Sequence, residues 1–162
     1  MSRGQRSSRW QQACRAALLG IAGVLVLAAP ATGASAEVTK GAFHEFAAGI
    51  TQGLDINGDA VMVRTPTNRT LVAVYVTGLA PNTAYGSHVH KQACAAGDAD
   101  GHYQFEPGGP VDNVNEIWPG FTTDPNGIGI GFGQNAGIAG PTAVSVVIHA
   151  PGGAKIACAD LG

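Results

Sequence analysis

The sequence predicts an all-β domain, an antiparallel sandwich or barrel with Greek-key connections. Three observations predict it: short runs of alternating β-branched residues recur after residue 36, turn clusters separate them, and amphipathic helix patterns are scarce. In order, the runs are "DAVMVRT" from Asp59, "TLVAVYVTGL" from Thr70, "GIGIGF" from Gly127, "TAVSVVIHA" from Thr142 and "KIACADL" from Lys155. Between them, "PNTAYG", "DPNG" and "APGG" supply the glycine, proline and asparagine that turns require. Lys91 to Thr123 stands apart. It is rich in Gly, Pro, Asp and Asn and has little periodicity, and a loop of that length in a compact domain is usually functional or disordered.

Ahead of the strands, Met1 to Ala36 reads as a secretory signal. Arg3, Arg6, Arg9 and Arg15 precede the apolar run "AALLGIAGVLVLAA", and "ATGASA" ends in an A-x-A pattern suited to cleavage after Ala36. The apolar run falls short of the about 20 residues that span a bilayer, and no cysteine stands at the cleavage point to take a lipid. The expected organisation is therefore a signal over 1–36 and one domain over 37–162, secreted or periplasmic and without membrane attachment after cleavage. Beyond Ala36 the chain keeps five basic and all eleven acidic residues, a net charge of −6 that argues against nucleic acid or anionic lipid as a partner. Cys14 leaves with the signal. Cys94 and Cys158 remain, and an even pair in an exported chain reads as one disulfide in preference to two buried thiols.

The chain holds five histidines. His88 and His90, in "GSHVH", are two apart, so an extended backbone turns both imidazoles to one face. His149 ends the strand "TAVSVVIHA" on the face of Val147 and Ser145, and His102 lies in the long loop in "GHYQFEP". Three or four imidazoles converging from two strands and a tethered loop make a nitrogen-rich site, which suits copper or zinc far better than magnesium or calcium. His44, in "FHEF", reads as an ordinary surface or edge-strand histidine.

Taken in sequence order, "GLAPNTAYGSHVH", a cysteine a few residues on, "GHYQ", "VVIHA" and the final "KIACADLG" resemble the copper/zinc superoxide dismutase family over nearly the whole chain after Ala36. The resemblance implies an eight-stranded Greek-key β-barrel, copper held by His88, His90, His102 and His149, and a Cys94–Cys158 disulfide. Two departures narrow it. In the two-metal enzymes the counterpart of His102 bridges to zinc, which two further histidines and an aspartate complete, but "FEPGGPVDNVNEIWPGFTTD" contains no histidine. Asp112, Glu116 and Asp124 could supply oxygens, yet one imidazole with carboxylates is a poor structural zinc site, so zinc is not expected and the chain resembles the copper-only branch. The long charged loop before the last strand is also missing. Only "APGGA" separates His149 from Lys155, which stands where the family has an arginine.

The activity implied is conversion of superoxide to oxygen and hydrogen peroxide outside the cytoplasm. His102 would be the ligand released to carry a proton, and Lys155 would guide the superoxide anion to an open, shallow site. Without zinc, the second nitrogen of His102 needs another partner to fix its tautomer, for which Glu106 and Asp100 are candidates. A non-enzymatic copper-storage or delivery protein on the same scaffold is the alternative, because the missing loop and the lysine replacement remove features linked to substrate guidance. A metal-free adhesion sandwich would leave the four histidines as coincidence.

Overall fold

The computed structural model describes residues 34–162, so the expected signal segment, apart from its last three residues, lies outside the described residues together with Cys14. Two antiparallel sheets and one short helix make up the described chain. The four-stranded sheet contains β1 (Glu37–Ala42), β3 (Asn57–Thr65), β4 (Arg69–Thr77) and β7 (Gly129–Ala136), in that spatial order. The five-stranded sheet runs β2 (His44–Glu45), β9 (Lys155–Asp160), β8 (Ser145–His149), β5 (Ala84–His90) and β6 (Phe121–Thr122). The chain changes sheet between β4 and β5, returns at β7 to lie beside β4, and changes again to place β8 beside β5. Helix α1, Ala47–Thr51, follows β2.

Alternation decides what lies inside. On β3 and β4, Ala60, Met62, Val72, Val74 and Val76 point inward, and they meet Val89, Val146, Ile148, Ala157 and Ala159 from the other sheet in one apolar cluster. Each such valine or isoleucine removed from water contributes roughly 1.5–3 kcal/mol before entropy is counted. A register slip of one residue would turn this set outward, which is why the pairing is specified.

The strands β2 and β6 were not expected, and three further differences have a local cause. Glu37–Ala42 is a strand although "EVTKGA" shows no β-branched run; pairing along the whole of β3, from Glu37 opposite Arg64 to Ala42 opposite Asp59, makes it one. "PNTAYG" is a turn only in its first half, since β5 begins at Ala84. The strand expected from Gly127 starts at Gly129 and extends to Ala136, because Gly127, at φ 75°, belongs to the turn that Asp124 ties down.

The long loop starts where the sequence puts it but ends earlier, because Phe121–Thr122 pair with β5 as β6, and its covering role has two parts. The stretch from Cys94 lies over the outer face of β8 and β9, where Cys94 and Ala99 pack on Val147 and Cys158. Farther on, Ile117 reaches the main core, and its carbonyl accepts a hydrogen bond from Val89 N.

Candidate metal centre

Positions 86, 88 and 90 of β5 share the outward face of the five-stranded sheet, and β8 is the strand beside it. The register puts His149 opposite Gly86, Val147 opposite His88 and Ser145 opposite His90, so His149 stands on the face that carries the pair. Gly86 leaves that corner free of a side chain. His102 comes from the loop, fixed by an isolated bridge to His90. One nitrogen from each of His88, His90, His102 and His149 lies within 4.8 Å of every other, a set that could hold a metal ion. His44 sits in β2, exposed, with its ring against Phe46, and is not in the set.

Hydrogen bonds assign the free nitrogen of each ring. His90 Nδ1 faces two carbonyls, Asp100 O at 3.1 Å and Ala99 O at 3.3 Å, and His149 Nδ1 faces Gly153 O at 3.1 Å. Carbonyls only accept, so both Nδ1 atoms carry the proton and both Nε2 atoms present lone pairs. These two Nε2 atoms are 3.3 Å apart. Two unprotonated nitrogens at that distance repel; a shared cation turns the contact into an attraction. His102 Nδ1 donates to Glu116 Oε2 at 2.6 Å, which leaves its Nε2 free as well. His88 completes the set from the other side of its ring, since its Nδ1 is buried and has no hydrogen-bond partner among the described residues. Orphaned buried nitrogens are rare, and ligation is one of the explanations they call for.

Electrostatics favour the neutral, ligating form. Burial, reinforced by repulsion from His102 and His149, pushes the pKa of His88 down to about 3. His90 is pushed down to about 3 by burial first and then by His102, His149 and Lys155. His149 is also lowered, chiefly by burial, against the opposing hydrogen bond to Gly153. An all-imidazole set, three members of which are held neutral, fits a transition metal and offers nothing to a hard cation that prefers oxygen.

Glu116 is the residue that sequence reasoning did not single out for the place beside His102. Glu106 and Asp100 do not fill it. The Asp100 carboxylate pairs with Lys91 at 3.2 Å while its carbonyl holds His90, and the Glu106 backbone is bound to Asn115. Asp112 caps the backbone of Val114 and Asn115, and Asp124 closes its own turn, so neither joins the cluster. Glu116 is only 1 % exposed, and its carboxylate accepts from His102, from Gln104 Nε2 at 3.0 Å and from Trp118 Nε1 at 2.8 Å. Burial alone would raise its pKa. The donors, Trp118 first, outweigh that and hold the group below the ordinary carboxylate value, so it stays ionised. Its backbone is pinned too, by Asn135 Nδ2 on its carbonyl and by Asp112 O on its N–H.

Lys155 reaches the site through an irregularity. Ile148 pairs with Ala157, but His149 pairs with Lys155, so a bulge in β9 turns Ile156 into the core and brings Lys155 level with His149. Its ammonium donates to Asp98 O and Asp100 O, each at 2.6 Å. It therefore braces the loop whose carbonyls orient His90. The same loop is anchored by the Cys94–Cys158 disulfide, by Cys94 N on Asp160 Oδ1 at 2.8 Å, and by Ser145 Oγ on Gln92 O at 2.7 Å. His90 is fully buried, His149 is 9 % exposed, and the side chain of His102 is 27 % exposed, so the cluster opens to solvent on the side of His88 and His102. The sequence matches no model of a known protein family, and no curated protein matches it.

Proposed function

We propose that the chain is an exported copper-dependent superoxide dismutase of the copper-only kind, on a Greek-key scaffold, with copper held by His88 Nδ1 and by Nε2 of His90, His102 and His149. The observation that carries the reading is the donor set itself: four converging nitrogens, two of them facing each other at 3.3 Å with no proton between. Copper, when bound, supplies a one-electron couple that oxidises one superoxide to dioxygen and, with two protons, reduces a second to hydrogen peroxide. The protein supplies orientation and proton handling. Carbonyls of Ala99, Asp100 and Gly153 keep His90 and His149 in one tautomer, which holds their Nε2 atoms ready in both oxidation states.

His102 has the different task. Its Nδ1 proton is fixed by Glu116, so its Nε2 is the atom able to take up a proton and deliver it to a departing peroxide, and it lies on the open side. Glu116 holds the His102 nitrogen that, in the two-metal enzymes the sequence resembles, would face zinc, and the stretch from Phe105 to Asp124 has no histidine, which together support a centre without zinc. Export is supported by the signal-like residues and by the disulfide.

One observation favours copper storage instead: two donors of the Lys155 ammonium are already spent on carbonyls. Metal analysis of the purified protein with a superoxide-consumption assay, before and after copper loading, separates the readings. About one copper and negligible zinc per chain, with turnover that appears on loading, is the expected result. Zinc that survives mild chelation in stoichiometric amount defeats the copper-only reading, and tightly bound copper without turnover establishes storage.

A further inference from the structure

The outward face of the four-stranded sheet is apolar where a half-solvated sheet is usually polar. In β7 the inward positions are glycines, and the large apolar residues, Ile130 at 58 % and Phe132 at 74 % exposure, point to solvent. This phase is forced. A Cβ at Gly131 would fall on Pro119 O and one at Gly129 on the Phe121 ring, so the loop leaves no room for β7 side chains inside. Across the register one outward row runs Lys40, Val61, Ala73 and Phe132, and in the next Ile130 stands beside Tyr75, itself 49 % exposed. No described residue covers this surface.

Charge is spread as unevenly as apolar surface. Among the described residues Arg64 pairs with Glu37, Lys91 pairs with Asp100, and the Lys155 ammonium is held by two carbonyls. Lys40 and Arg69 are the basic side chains left without such a partner, and both stand exposed on this face. Its one acidic residue is Asp59, whereas Glu45, Asp98, Asp100, Glu116 and Asp160 belong to the other sheet or to the loop laid over it. The face is therefore apolar and locally cationic.

We propose that this face seats on an anionic phospholipid surface, with Phe132, Ile130 and Tyr75 entering the headgroup boundary and Lys40 and Arg69 meeting lipid phosphates. A lipid surface needs no matching pocket, which suits an open sheet face whose largest ring stands farthest out, and an aromatic ring with a polar tip such as Tyr75 belongs at that boundary. The net charge of −6 over residues 37–162 opposes such a surface only if it is spread evenly over the domain. Sheets of a sandwich pack about 10 Å apart, and the covering loop lies beyond the second one, so the acidic residues there lie outside the about 8 Å over which charge acts at physiological salt. What the lipid meets is the near face. The cluster of histidines lies on the other sheet, so this seating leaves it open to solvent.

Cosedimentation of the purified protein with vesicles of phosphatidylglycerol, and separately of phosphatidylcholine, tests this. The parent should sediment with phosphatidylglycerol and stay in solution with phosphatidylcholine. Lys40→Ala and Arg69→Ala should each lower the partition coefficient about fivefold, and about 30-fold together, and high salt should weaken the parent far more than the double variant. Phe132→Glu should lower it about tenfold or more. The Phe132 side chain is outside the core, so a melting temperature equal to that of the parent shows that the variant folds. Equal sedimentation with both lipids would overturn the proposal, and so would binding indifferent to Phe132→Glu, the result expected if residues before Glu37 did the anchoring. A parent that stays in solution with phosphatidylglycerol, whether alone, self-associated or held by another protein, would overturn it equally.

Discussion

Outward from the five-stranded sheet stand His88, His90, His149 and Cys158, and the loop from Cys94 is laid over part of them. Outward from the four-stranded sheet stand Val61, Ala73, Tyr75, Ile130 and Phe132, with nothing described above them. Each surface is the reverse of what burial alone favours: polar rings are desolvated on one side and apolar rings are wet on the other. The difference teaches that the same alternating pattern serves two ends. Desolvation keeps the imidazoles neutral and their lone pairs available, whereas the bare apolar face is stabilised only by something that comes to cover it.

The sharpest way to break the comparison is to exchange effects between the faces. His88→Ala, His90→Ala and His149→Ala should each abolish copper retention and copper-dependent superoxide consumption, and Phe132→Glu, on the other sheet, should leave both unchanged. His44→Ala should change neither. Copper content per chain, measured beside superoxide consumption, checks all of these.

Stability should divide the faces next. Removing the disulfide as Cys94→Ser with Cys158→Ser frees a loop whose ends are 64 residues apart. Loop-closure entropy sets the loss at about 4 kcal/mol, or a melting temperature lower by on the order of 10–20 °C. The covered face should suffer further, because Cys94 anchors the segment whose carbonyls orient His90; copper retention should weaken along with stability. Acid should act on the same face. The pKa values of His88 and His90 are held down to about 3 in the fold and return to the ordinary imidazole value of about 6.5 on unfolding, so between those limits the unfolded chain binds more protons. The metal-free protein should therefore be at full stability above pH 6.5 and lose it progressively toward pH 3. Melting curves across that range test this, and Phe132→Glu should follow the same profile.

How much of this was legible follows from period and phase. The two-residue spacing of His88 and His90 places two rings on one face from sequence alone, the strand position of His149 makes it a candidate to join them, and the even cysteine count reads as one disulfide; that β8 lies beside β5 is shown only by the fold. His102 has no periodic signal; its place in the long loop makes it a candidate fourth imidazole, and the resemblance is what assigns it to the set. Glu116 was one carboxylate among several in an aperiodic loop, and what selects it is tertiary: Asn135 on β7 grips its carbonyl and aims its side chain at His102. The strand "GIGIGF" was legible as a strand, but its phase was not, since the packing of Pro119 and Phe121 against the glycines decides which way Phe132 points.

Glu116→Gln gives a smaller effect that sharpens the role of the covered site. The amide keeps the size of the side chain and removes the charge that fixes the Nδ1 proton of His102. Copper should still bind, and turnover should fall about 10- to 100-fold, in the range seen for partners of metal-ligating histidines. Equal loss in Glu116→Gln and Glu116→Ala would assign the effect to charge; retention in Gln alone would assign it to packing.

The smallest effect expected is at Lys155, where charge and bracing have to be told apart. If superoxide is the substrate, as proposed, it is an anion approaching residues 37–162 of net charge −6, so any attraction has to be local. Lys91 offers little, because Asp100 pairs with it. The Lys155 ammonium sits level with His149, with two of its donors on Asp98 O and Asp100 O and its charge intact. Lys155→Met should lower turnover about 3- to 30-fold, the lower part of the range for electrostatic steering, because the cluster opens to solvent on the side of His88 and His102. Salt then separates the two roles. If charge is what matters, raising ionic strength should slow the parent more than the Met variant, since screening removes what the mutation has already removed. If bracing is what matters, the variant should lose copper more readily, because the loop that orients His90 is released, and its salt dependence should match that of the parent. Lys155→Arg keeps the charge but carries a planar fork that is not interchangeable with an ammonium on two carbonyls. Full turnover in Arg with weakened copper retention would assign steering to the charge and bracing to the ammonium.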